Sequence, residues 1–314
     1  MDDQWTENLF DEKKIKKAIN RGKKRSVLTI VFVSIGVFIL LSIGNFAISV
    51  YFSQKAYKQW DAYVRLSTPN GYISETVDSI GILGGASQYK ISKDMKIKSI
   101  VTDQKQYFYG LIPSLIISRG AGGGIGVTGE DWQFNYKENG WKEMLFFHPK
   151  VSYKKYMNDE NLIQRMDGDH IFEVALSFDQ PYKVSELPFR TLPKMTWFWI
   201  DTYSRSQLQA FQQEAKEYDW SATSIREKEA LGFSFNDSYT SLTNLEFEYD
   251  EFLGLLKTSI YSEHVEAYDQ MKEYQIDEVD IIGIVVYGTK DEIKEWINNP
   301  AVTASSLGGV IDNY

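Results

Sequence analysis

The longest hydrophobic stretch of the chain lies between Ser26 and Phe52. These 27 residues carry no charge, and their apolar side chains would cover every side of a helix. Because a bilayer core about 30 Å thick requires about 20 apolar helical residues, the stretch is predicted to span a membrane. Two alternatives are less favoured. A cleaved signal peptide has an apolar region of only about 7–15 residues, and a buried helix of a soluble protein is rarely apolar on all sides.

The charges on the two sides of this stretch predict its orientation. Residues 1–25 contain eight basic and five acidic residues, whereas residues 55–314 contain 26 basic and 38 acidic residues. Lysine and arginine beside a span resist translocation, so the N-terminus is expected in the cytoplasm and the acidic body outside the cell. Four aromatic residues at the outer end fit an interfacial belt: Tyr51, Tyr57, Trp60 and Tyr63.

Residues 1–25, here called the head, have the pattern of a short amphipathic helix. Its apolar stripe consists of Trp5, Leu9, Ile15 and Ile19, with Phe10 and Ala18 on the two sides. The later turns carry the basic residues Lys13, Lys14, Lys16 and Lys17. Two interpretations stay open from this pattern: a helix lying on the inner leaflet, or a helix that docks its stripe into the groove of a partner. The five acidic residues argue mildly against the leaflet.

Beyond residue 70 the pattern changes to short β-branched and aromatic runs with helical segments between them, which predicts an α+β fold. Short predicted strands lie within residues 91–109 and 110–118, and further predicted strands cover residues 132–136, 142–147, 171–178, 194–203, 279–287 and 304–311, with a hairpin around Asn139 and Gly140. Predicted helices cover residues 185–192, 249–274 and 290–298, and Thr289 with Glu292 forms a capping box for the last of them. Two strand–helix–strand units and a long covering helix therefore form a predicted α+β sandwich.

These patterns divide the chain into five predicted parts. They are a cytoplasmic head (1–25), a transmembrane helix (26–52), a connector that continues the helix for some turns (53–70), a β-rich region (71–145) and an α+β domain (146–314).

Composition excludes most catalytic chemistry. The chain has no cysteine and only three histidines, His148, His170 and His264, which removes disulfides, thiolate metal sites and most histidine-dependent catalysis. The glycine-rich residues 120–126 lack the Lys-Ser/Thr pair of a phosphate loop, so a flexible loop is the better interpretation. A net charge of −9 argues against nucleic acid as a direct partner. We therefore expect no enzymatic activity, no cofactor and no bound metal.

Three polar residues share one face of the outer half of the predicted span: Ser42, Asn45 and Ser49. An asparagine is costly in lipid unless it is hydrogen-bonded, so this face is a candidate contact with a second membrane protein or another copy of the chain. The alternative is that Asn45 simply lies near the outer headgroups, which the length of the apolar stretch permits.

Two sets of residues resemble a known family, the membrane anti-sigma factors of Gram-positive bacteria built from sigma factor regulator N-terminal and C-terminal domains. The first is LFDEKKIKKAINRGKKRS running into a single span, within residues 9–52. The second lies within residues 146–311 and comprises FHPKVSYKKY, EVALSFDQPYKVSEL followed by WFWIDTY, and IIGIVVYGTKDEIKEW.

The resemblance implies a cytoplasmic head that holds an extracytoplasmic-function sigma factor away from RNA polymerase. The candidate binding residues are Trp5, Leu9, Phe10, Lys13, Lys14, Ile15, Ala18 and Ile19. Two other classes stay open from the residues themselves. The first is an anchored external enzyme or ligand-binding protein, in which the head is only a topology signal. The second is a structural subunit of a membrane complex.

Overall fold

The computed structural model describes residues 12–95, 97–111, 141–188, 195–218, 224–235 and 242–313. The chain divides into two compact units. The first, here called the helix unit, comprises Met1–Gln54, Ser79–Ala86 and Phe108–Ile116. The second, here called the body, comprises Lys55–Asp78, Ser87–Tyr107 and Ile117–Tyr314.

One helix, α1, runs from Glu12 to Ser67 and contains the whole uncharged stretch. It is the one helix among the described residues that is long and apolar enough to cross a membrane, and its most apolar window has a mean hydropathy of 2.7 with no residue buried. A core helix of a soluble protein would be mostly buried, so that alternative does not fit. The predicted continuation beyond the span is confirmed, since α1 ends only at Ser67.

A three-stranded sheet follows α1, with strands β1 (Gly71–Ile80), β2 (Gly84–Asp94) and β3 (Ser99–Gly110) in the order β1-β2-β3. The sequence pattern placed short strands within residues 91–109 but did not find β1. The chain turns after β2, where the amide of Met95 donates to the carbonyl of Lys98 at 3.2 Å. The predicted strand at 110–118 lies outside the described residues beyond position 111.

A five-stranded antiparallel sheet forms the centre of the body. Its strands are β5 (His170–Tyr182), β6 (Met195–Ile200), β8 (Gly232–Ser234), β9 (Ile281–Gly288) and β10 (Val302–Asp312). Their order in the sheet is β10-β5-β9-β6-β8. The two predicted strand–helix–strand units interleave, because β9 of the second unit lies between β5 and β6 of the first. The α+β prediction is confirmed.

Both faces of this sheet are covered, so β9 is buried along its whole length. Helices cover one of the two faces. They include α2 (Glu160–Arg165), α4 (Leu242–Thr258), α5 (Ser262–Met271) and α6 (Lys290–Ile297). The opposite face packs an aromatic core with β4 (Leu145–Phe146) and β7 (Ile225–Arg226), and α3 (Arg205–Glu217) lies beside it. The body is therefore the predicted sandwich.

Some local predictions were wrong. The long helix predicted at 249–274 is two helices. The amide of Ser259 still donates to the carbonyl of Leu255 at 3.1 Å, but the amide of Tyr261 donates to the hydroxyl of Ser259 at 3.3 Å, which ends the helical ladder. The helix predicted at 185–192 is, within the described residues, only a single 3₁₀ turn, Val184–Glu186. β4 pairs with β7, and residues 132–136, predicted as its hairpin partner, lie outside the described residues. The capping box of Thr289 and Glu292 is confirmed.

Candidate functional site

The described part of the head is helical and exposed. Lys13, Lys14, Ile15, Ala18 and Ile19 all lie on α1, and Ile15 and Ile19 are 40% and 53% exposed. Their i, i+4 spacing places the two isoleucines on one face, one turn apart. Trp5, Leu9 and Phe10 fall outside the described residues. The described head thus presents exposed apolar and basic side chains, which both the leaflet interpretation and the docking interpretation require.

The polar residues of the span have different environments. Ser42 is exposed, Ser49 is fully buried, and Asn45 binds within its own chain. The Asn45 amide nitrogen donates to the carbonyl of Gly81 at 3.0 Å, and its oxygen accepts the amide of Leu83 at 2.5 Å. The sequence pattern did not find these partners because they lie 36 and 38 positions away. Contact of this face with a second membrane protein stays a prediction.

The end of α1 is fixed in the body by aromatic contacts. The ring of Tyr63 lies 4.8 Å from that of Tyr261 and 6.0 Å from that of His264. Trp60 packs edge-on against Tyr107 at 5.8 Å. Trp60 and Tyr63 are thus packed against protein, which differs from the membrane-interface belt predicted for them. Arg65, two residues further along, pairs with Glu251 at 2.8 Å.

Beside this junction the body contains a cavity of about 680 Å³. Its lining combines aromatic and charged side chains, including Tyr63, Tyr203, Phe211, Arg226, Tyr261 and His264. A volume of this size accommodates a small organic molecule. Because Tyr63 belongs to α1, an occupant would contact the same helix that crosses the membrane.

A buried ionic cluster within the body links β2 of the three-stranded sheet to β5 of the five-stranded sheet. Lys93 on β2 reaches Glu173 on β5 at 2.8 Å and Glu227 at 2.6 Å, and the three side chains are at most 3% exposed. Glu173 also accepts hydrogen bonds from the hydroxyl of Tyr287 at 2.7 Å and the amide of Gly309 at 2.9 Å. These bonds offset the large cost of removing charges from water.

The charges in the cluster are unequal, with one cation facing two carboxyl groups. Burial raises the pKa of Glu227, and the nearby Glu173 raises it further although Lys93 opposes this. Burial alone would lower the pKa of Lys93, but the two carboxyl groups raise it, so the lysine stays protonated. The cluster is closed to solvent, which favours a structural role over catalysis.

Sequence analysis did not single out these three residues, although a signal for two of them is present. Tyr89, Ile91 and Lys93 alternate on one face of β2, which places a charge on an apolar face. Glu173 is the one charged residue in the run IFEVALSF. Two isolated opposite charges in apolar strands indicate a buried pair.

The histidines do not form a site together. His148 contacts Asp201 at 3.2 Å, His170 contacts the carbonyl of Asp167 at 2.7 Å, and Nδ1 of His264 lies 2.7 Å from the hydroxyl of Ser259. Within the described residues, no group of three or more histidine, aspartate or glutamate side chains is arranged to hold a metal ion.

His264 is expected to make the stability of the body depend on pH. Burial lowers its pKa to about 4, whereas the unfolded chain has the ordinary value near 6.5. Between these values the unfolded chain binds the extra proton, so the free energy of unfolding should fall as the pH drops from about 6.5 towards 4. The expected loss between pH 7 and pH 5 is about 2 kcal/mol.

The check is denaturant unfolding of the full chain in detergent at both pH values, with His264→Gln as the matched variant. The difference in the free energy of unfolding between the two proteins isolates the effect of His264. Other groups contribute equally to both proteins, including Glu227, whose raised pKa makes the free energy of unfolding rise as the pH drops. If both proteins lose the same stability on acidification, His264 is not responsible.

Comparison with known families assigns the chain to a class. The sigma factor regulator N-terminal family matches residues 16–100, and the sigma factor regulator C-terminal family matches residues 163–309. Searches among curated proteins and among solved structures found no match. The first match contains the apolar stretch of α1 and strands β1 and β2 and ends at the start of β3, and the second contains nearly all of the five-stranded sheet.

A membrane-anchored regulator is therefore the class that the fold and these matches define. The two matches together place the chain in the sigma factor regulator family and support an anti-sigma factor role. The family resemblance seen in the sequence is confirmed.

Proposed function

We propose that this protein sequesters an extracytoplasmic-function sigma factor at the inner face of the cell membrane through residues 1–25. The observation that carries the proposal is the exposure of the N-terminal part of α1. Every residue from Glu12 to Ile43 is exposed, and its charged residues end at Arg25, where the apolar stretch begins. In this proposal lipid covers the exposed apolar part of the helix, and the sigma factor binds the exposed apolar side chains of the head.

The head would bind by inserting its apolar side chains into a groove of the sigma factor, since such anchors supply most of the energy of helix recognition. Lys13 and Lys14, with the neighbouring lysines, would steer the complex towards an acidic surface and affect the association rate more than the affinity. Tethering then keeps the sigma factor away from the nucleoid. In this mechanism the protein contacts no nucleic acid directly and needs no cofactor.

We further propose that the body is a non-catalytic sensor of an envelope signal outside the cell. Its ionic cluster is sealed from solvent, while its cavity of about 680 Å³ is lined by a residue of α1. Occupation of that cavity would act on Tyr63 and thus on the end of the helix that carries the head. An anchored ligand-binding protein without a sigma factor partner would also have such a cavity. Deletion of the gene, described below, distinguishes this alternative from an anti-sigma factor.

The orientation is a testable part of this proposal. The eight basic residues of the head predict that it stays in the cytoplasm. Two kinds of reporter are fused at each position, one that is active only in the cytoplasm and one that is active only outside the cell. After Arg25 only the cytoplasmic reporter should be active, and after Tyr314 only the external reporter should be active. The reversed pattern, or a mature protein that begins near residue 50, contradicts the anchored arrangement.

Deletion of the gene distinguishes an anti-sigma factor from the alternative. Loss of the protein should induce the genes of one promoter class, because one sigma factor is released. Expression of the head and span without the body should repress the same genes again. An unchanged transcriptome after deletion favours the anchored ligand-binding protein or enzyme.

A further inference from the structure

The turn between β1 and β2, which belongs to the helix unit, carries exposed apolar side chains. Ile82 at its tip is 93% exposed, and its neighbours Ile80 and Leu83 are 45% and 37% exposed. Leu111, which follows β3, is 56% exposed. A soluble domain rarely places aliphatic side chains together at an exposed tip without a binding partner.

The same region of the sheet lacks charge. No charged residue occurs between Asp78 and Lys90 or between Lys105 and residue 118, whereas the remaining parts of the strands carry many, such as Glu75, Lys93 and Asp103. The charge-free ends belong to the helix unit, and the charged parts belong to the body. This separation is what a surface in contact with lipid requires, because a charge in the acyl region is costly.

The turn is held in a defined position within the helix unit. Asn45 of α1 binds it twice, at Gly81 and Leu83. Inside the turn the amide of Gly81 donates to the carbonyl of Gly84 at 2.7 Å, and the amide of Leu111 donates to the carbonyl of Leu83 at 3.0 Å. Gly84 has no room for a side chain, since an added Cβ would lie 2.3 Å from the carbonyl oxygen of Tyr109.

The depth of this position follows from α1. Residues 26–43 are uncharged and exposed on all sides, and these 18 residues are about 27 Å long at about 1.5 Å per residue. That length matches a hydrocarbon core about 30 Å thick. From Gly44 onwards several residues of α1 are partly or fully buried. Asn45 therefore lies where the acyl chains meet the headgroups.

We propose that the β1–β2 turn is a second membrane contact, with Ile82 inserted among the lipids of the leaflet nearest to Asn45. The occupant is lipid because Asn45, which binds the turn, closely follows the exposed, uncharged residues 26–43 of α1. Two attachment points restrict rotation and tilt of the helix unit in the membrane. The inference rests on the membrane anchoring of α1 and holds whether or not the head binds a sigma factor.

The absence of cysteine permits a direct test. Ile82→Cys is labelled with an environment-sensitive fluorophore in the full-length protein, reconstituted into vesicles of phosphatidylglycerol and phosphatidylethanolamine. Gln88→Cys is the matched control, since it is exposed on β2 of the same hairpin and about 13 Å further from the turn at about 3.3 Å per residue. Both positions tolerate a label because both side chains are exposed.

The label at position 82 should emit at shorter wavelength than the control and should lose intensity when the vesicles contain lipids with a nitroxide near the glycerol backbone. A nitroxide at the bilayer centre should quench it less. Water-like emission at position 82, without quenching by either lipid, overturns the proposal. A blue-shifted emission that neither lipid quenches also overturns it, because a protein rather than lipid then covers the turn.

Discussion

Replacing Ile15 and Ile19 by aspartate should abolish repression by the full-length protein and fully induce its target promoters. Both side chains are exposed on the head, so the substitutions remove contacts with a partner without disturbing a core. Central apolar anchors of an interface contribute about 2 kcal/mol or more each. Loss of two anchors corresponds to a decrease in affinity on the order of a thousandfold. A promoter–reporter fusion and a membrane immunoblot measure the effect and the protein level.

Lys13→Gln with Lys14→Gln is the matched control on the same turn of the head. It should only weaken repression and reduce the salt dependence of binding, because exposed charges act mainly on the association rate. Repression that survives the double aspartate substitution at normal protein levels contradicts a groove-docking head. Equal loss with both variants points to an electrostatic contact instead.

The second large effect is expected at Lys93. Its replacement by methionine should lower the free energy of unfolding by about 3–5 kcal/mol, because Glu173 is left buried without its cation. This is a large fraction of the stability of a typical domain, about 5–15 kcal/mol. Denaturant unfolding of the full chain in detergent, followed by tryptophan fluorescence, gives the value.

Lys90→Met provides the control on the same strand. Lys90 pairs with Glu75, but the two side chains are 34% and 53% exposed, so the expected loss is only about 0–1 kcal/mol. Combining Lys93→Met with Glu173→Gln should cost clearly less than the sum of the two single changes. Equal losses for Lys93→Met and Lys90→Met contradict the structural role of the buried cluster.

The local features of this fold were predictable, because they depend on neighbouring residues. The membrane helix follows from 27 uncharged positions, and the start of α6 follows from Thr289 and Glu292, three positions apart. The heavily buried strands β5 and β9 follow from apolar runs. The break after α4 was missed because the helical pattern continues through it, while the hydroxyl of Ser259 binds the backbone instead.

The contacts that depend on distant residues were not predictable from one sequence. Lys93 meets Glu173 across 80 positions, and Asn45 meets the β1–β2 turn across 36. The interleaving of β9 between β5 and β6 likewise needs long-range pairing that no local pattern specifies. For the head, the four-residue spacing of Ile15 and Ile19 is a local pattern, and both side chains lie exposed on α1.

Capture of a sigma factor by the isolated head tests the central claim most directly. Residues 1–25 are fused to a soluble carrier and mixed separately with each sigma factor of the host, and the bound fraction is measured by pull-down. The account predicts that the head retains one extracytoplasmic-function sigma factor and that the Ile15→Asp, Ile19→Asp version retains none. If the head captures no sigma factor, while a protein lacking residues 1–25 still represses, the assignment of binding to this segment is wrong.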